Sequence, residues 1–78
     1  SMTGRDASPM RYRIRIRGHL DHAWTEWYDD LTLTQQDDGT TELVAPLSDQ
    51  SALYGLLARL RDRGATLLMV EQLGQLRH

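Results

Sequence analysis

The hydrophobic period of this chain switches repeatedly between two residues and about 3.6, the repeats of a strand and of an α-helix. From Met10 to Arg17, Tyr12, Ile14 and Ile16 fall on one face and Arg11, Arg13, Arg15 and Arg17 on the other, a half-buried strand that Gly18 ends. Leu20, Ala23, Trp24, Trp27, Tyr28 and Leu31 then recur at helical spacing, with Asp21 placed to cap the start and Glu26, Asp29 and Asp30 off the stripe. The period returns to two at Leu31 and Leu33, alternating with Thr32 and Thr34. Asp37-Asp38-Gly39 signals a hairpin turn, after which Thr41, Leu43 and Ala45 alternate with Thr40, Glu42 and Val44 until Pro46 closes the strand.

Ser48 and Asp49 offer the N-cap of a second helix with the stripe Leu53, Leu56, Leu57 and Leu60. Arg59, Arg61 and Arg63 suit the negative end of its dipole, and Gly64 suits its stop. Thr66 to Leu73 is apolar on both faces and reads as a strand covered on both sides. The order β-α-β-β-α-β predicts an α+β, ferredoxin-like split βαβ domain: a four-stranded antiparallel sheet with two helices on one face and strand one between strands three and four. It spans residues 10–74. Residues 1–9 read as a disordered arm in which Ser1, ahead of the expected initiator Met2, is a cloning scar, and residues 75–78 read as a tail.

Size narrows the picture. A chain of 78 residues makes one domain that buries only about 60–65% of its unfolded surface. It has no cysteine, so neither a disulfide nor thiol chemistry supports it, and a homodimer is the expected source of further burial. The expected dimer surface is the open sheet face, burying Leu67 and Met69 or Leu68 and Val70. The absence of a targeting or membrane-spanning segment favours the cytoplasm.

Charge changes the picture more. The net charge is −2, so the arginine row is a local basic stripe on a mildly acidic chain, and nucleic-acid binding is disfavoured. The open sheet face should display Arg11, Arg13, Arg15 and Arg17 beside Glu42 and Val44. The last strand adds either Leu67, Met69 and Glu71 or Leu68, Val70 and Gln72. Cross-strand Arg–Glu pairing is the plain use of such a row. The binding candidates are therefore Arg11, Arg13, Arg15, Arg17, Glu42, Met69 and Glu71, with binding of a small anion, a nucleotide or, less favoured, nucleic acid by the arginine row as the alternative to an interface.

Other chemistry is thin. His19, Asp21, His22 and Glu26 form one metal-like cluster without preorganised further ligands, so no metal and no cofactor are expected. Trp24 and Trp27 belong in the core by their stripe. Gly55, in mid-helix, calls for a packing reason such as close approach of the indoles, or for a ligand on its backbone. No nucleophile–base order, carboxylate pair or phosphate loop stands out, so the domain is read as non-enzymatic, for protein interaction or small-ligand sensing.

The pieces Arg17-Gly18-His19-Leu20, Leu31-Thr32-Leu33-Thr34, Asp38-Gly39-Thr40-Thr41, Asp49-Gln50-Ser51-Ala52-Leu53-Tyr54-Gly55-Leu56-Leu57 and Arg61-Asp62-Arg63-Gly64 resemble a pattern shared by a family of small uncharacterised bacterial proteins of actinobacterial type. Ala45 stands where that family has glycine, and Tyr54 where it often has histidine. The resemblance implies no activity, cofactor or catalytic residue.

Overall fold

Tyr12, Ile14 and Ile16 are buried as their alternation requires, and the strand that carries them, β1 (Met10–Arg17), lies inside the sheet. The computed structural model describes residues 10–28 and 30–75. The remaining elements are β2 (Thr32–Gln35), β3 (Thr40–Leu47), α1 (Gln50–Asp62) and β4 (Thr66–Gln75), with a 3-10 helix at His22–Glu26 between β1 and β2. All pairings are antiparallel and the strand order is β2-β3-β1-β4, so β1 sits between β3 and β4. The inner face of the sheet packs Ile14, Ile16, Leu33, Leu43, Ala45 and Leu47 against Leu53, Leu56 and Leu60 of α1. The expected arm falls on residues 1–9, outside the described residues, as do residues 76–78 of the expected tail; Gln75 belongs to β4.

Of the two expected helices on this face, only α1 is an α-helix. The aromatic stripe from Leu20 to Leu31 forms five residues of 3-10 helix. Its composition explains this: His, Trp, Thr and Tyr are mediocre helix formers, and so short a segment cannot recover the cost of nucleation. Asp21 caps it through Ala23 N–H at 2.9 Å, and the Thr25 hydroxyl donates to the His22 carbonyl at 2.8 Å. The tighter winding eclipses residues three apart. The 3-10 helix ends at Glu26, and Trp27, its C-cap, stacks on Trp24 with ring centres 6.3 Å apart on the solvent side. Trp24 is buried at 5% exposure, while Trp27, placed in the core by its sequence spacing, is 55% exposed under the Arg59 guanidinium at 4.7 Å.

The second half follows its sequence signals closely. Asp49 Oδ1 accepts from Ala52 N–H at 2.8 Å, an N-cap bond. At the other end Gly64 N–H donates to the Arg61 carbonyl (2.9 Å) and Ala65 N–H to the Leu60 carbonyl (3.1 Å), with Gly64 at φ +80°: a Schellman stop. Gly55 has no packing reason, since a β-carbon there would meet nothing within 4 Å. Pro46 does not end its strand, which runs on to Leu47. β2 pairs only with Thr41–Val44, so β3 has no β2 neighbour beside the proline.

β4 departs from expectation. It lies at the edge, as the expected strand order requires, but Leu67, Leu68 and Val70 are 50%, 40% and 39% exposed rather than covered on both sides. Its register against β1 shifts twice, leaving Leu68 and Leu73 without a partner.

Candidate functional site

β1 places its arginines at every second residue, and the ladder decides their neighbours. Arg15 lies opposite Glu42 on β3 and Met69 on β4; Arg13 lies opposite Val44 and Glu71. Met69 and Glu71 thus share the arginine face, whereas Val70 and Gln72 lie opposite Ile14 and Tyr12 on the helix side. The register shift separates Leu67 from Met69 and sets it opposite Ile16. Neither expected pair, Leu67 with Met69 or Leu68 with Val70, is therefore brought together on the open face: Met69 stands there beside Arg15, with Val44 across β1, while Leu67 and Val70 lie on the helix side.

Within the row, Arg13 Nη1 donates to Glu71 Oε1 at 3.0 Å and Arg15 Nη2 to Glu42 Oε2 at 3.2 Å. Arg13 Nε lies 3.5 Å from the same Glu42 oxygen, near enough for attraction but without hydrogen-bond geometry. These are cross-strand Arg–Glu pairs of the kind the alternation implies. They are also partly exposed pairs, each worth roughly 0.2–1 kcal/mol, too little for fold stability to explain four aligned arginines.

The pairing leaves capacity over. A guanidinium carries five N–H donors. Arg11 and Arg17 have no ion-pair partner among the described residues, and Nε of Arg11, Arg13 and Arg15 is buried without a hydrogen-bond acceptor there. Four arginines against two carboxylates leave this face formally two charges positive on a chain of net charge −2. The acidic counterpart is segregated in sequence, since residues 18–58 contain eight carboxylates and no arginine. One of these, Asp38, turns the hairpin. Its Oδ1 accepts from the Thr40 hydroxyl (2.6 Å) and the Thr40 N–H (3.0 Å), and these bonds, with a smaller contribution from the Arg15 charge, hold its carboxyl below the ordinary aspartate range.

The metal-like cluster does not gather. Asp21 is used as a cap, and among the described residues no group of three or more His, Asp or Glu side chains could hold an ion. No described helix is long and apolar enough to cross a membrane. The feature missed in the sequence is the exposure of β4. Its signal was present: a strand at the end of a four-stranded sheet cannot be enclosed by helices lying on one face.

No curated protein and no solved structure matches the chain. A family model does, over residues 11–71, a stretch that takes in the arginine row, the hairpin, α1 and β4 as far as Glu71. The chain belongs to the family described as a domain of unknown function, DUF8691.

Proposed function

We propose that this domain is a non-enzymatic interaction module whose recognition surface is the arginine face of the sheet, and that it takes an extended acidic segment of a partner protein. The observation that carries this reading is the charge balance of the face, four arginines against two carboxylates, with Arg11 and Arg17 uncommitted among the described residues. Alternate residues on a strand repeat at about 6.6 Å, so an extended peptide with a carboxylate at every second position matches the row in pitch. Carboxylates also accept the paired N–H groups that guanidinium presents. A homodimer through this face is less favoured, because it brings two positive surfaces together. Nucleic acid is less favoured too. Tyr12 points into the core, and the face offers no aromatic for base stacking among the described residues. We read the fold itself as a split βαβ unit whose first helix has contracted to a 3-10 turn.

The test is a titration with a labelled peptide carrying glutamate at every second residue, and with a single-stranded oligonucleotide for comparison. The peptide should bind, and its affinity should fall as salt rises. The double variant Arg11→Gln/Arg17→Gln leaves the Glu42 and Glu71 pairs intact, so it should melt like the wild type and lose the peptide. Binding that survives this change, or a preference for the oligonucleotide, would refute the reading.

A further inference from the structure

We infer that the β4 edge pairs with β4 of a second copy of this chain, across a twofold axis near Val70, to make one continuous eight-stranded sheet. This stands independently of what the arginine face binds. Three of the five exposed large apolar side chains among the described residues, Leu67, Leu68 and Val70, lie on this one strand. Edge strands that are kept apart carry lysine, proline or inward charges. Thr66–Gln75 has no lysine, proline or inward charge, and its single charge, Glu71, is already held by Arg13 on the open face; its two bulges, which can also turn an edge away, fall outside Met69–Gln72. The two bulges leave Met69–Gln72 in regular register, and that stretch is the natural seat of the axis.

Charge selects the second copy as occupant. With Val70 on the axis, Glu71 lies beside the second copy's Met69, which has its own Arg15 directly behind it. Each copy's carboxylate is then set between two arginine rows, and this arrangement is self-complementary as a twofold interface must be. A twofold at Glu71 would instead set two carboxylates opposite each other, which is unfavourable. The pairing also supplies the burial that a cysteine-free chain of 78 residues lacks.

Sedimentation equilibrium decides the matter. The wild type should sediment at twice the 9.0 kDa of one chain. Val70→Lys and Leu67→Lys should each give a folded monomer with an unchanged far-UV spectrum; the second site, half-exposed, guards against a folding failure at the first. Arg11→Gln/Arg17→Gln, opposite Gly74 and Thr66 and away from the axis, should remain dimeric. A monomeric wild type at every concentration would overturn the inference and leave the edge to a different polypeptide. A dimer insensitive to both lysines, or dissolved by the arginine changes, would place the interface elsewhere and overturn it equally.

Discussion

β2 and β4 both terminate the sheet, but they do so with opposite chemistry. β2 has four residues, turns Thr32 and Thr34 to solvent and buries Leu33. Leu20, Leu31 and Trp24 complete the cluster beneath it, and the Gln35 amide donates to the Leu20 carbonyl. β4 has ten residues, and its Leu67, Leu68 and Val70 stay half-exposed. A short polar edge is a poor template for further pairing, while a long apolar edge is a good one. The contrast teaches that the 3-10 segment, too short to be a second helix, closes the β2 side with one buried indole. On the β4 side no described residue covers Leu67, Leu68 and Val70 in the same way.

The largest test of this contrast is to remove the buried indole. Trp24→Ala should destabilise the domain by about 3–5 kcal/mol, as loss of a buried aromatic does, and denaturant melts would show the β2 side failing. Trp27→Ala should cost only about 1 kcal/mol, from lost stacking and the Arg59 contact. Equal losses at the two tryptophans would mean that both are core and that the turn is a full helix after all.

The aromatic segment shows where the sequence was legible and where it was not. Period alone placed β1, the hairpin, α1 and its two caps, because each is fixed by local chemistry: alternation, Asp37-Asp38-Gly39, Asp49 and Gly64. It also brought Arg13 and Arg15 to Glu42 and Glu71. The same i, i+3 spacing of Trp24 and Trp27 fits an α-helix and a 3-10 turn alike, so it could not tell a core indole from an exposed one. Nor can an apolar run such as Thr66–Leu73 distinguish burial by helices from burial by a partner. The facing of Leu67 and Leu68 turned on a bulge that no residue in the run announces.

A smaller effect lies on the helix that backs the sheet. Gly55→Ala should stabilise the domain by roughly 0.5–1 kcal/mol, since the new methyl enters open space and the helix gains propensity. A destabilised variant would reveal that something touches that backbone. On the closed edge, Thr34→Lys should change stability by less than about 0.5 kcal/mol and leave the oligomeric state alone. A change in mass would make β2 an assembly edge as well.

The hairpin joining β2 to β3 gives the smallest effect, read by pH. The Asp38 carboxyl is held down by Thr40, so its contribution is fully present above the ordinary aspartate range and disappears as pH falls through the lowered folded value. Carboxyl chemical shifts followed through acid titration should show Asp38 protonating later than free aspartate, and Asp38→Asn should remove that part of the acid sensitivity.

The difference between the two edges is tested most directly by residue-level amide hydrogen exchange in dilute and in concentrated solution. The account predicts that protection of the Met69–Gln72 amides rises with concentration while Thr32–Gln35 stays unchanged. Protection that is independent of concentration at β4, or a matching rise at β2, would contradict it.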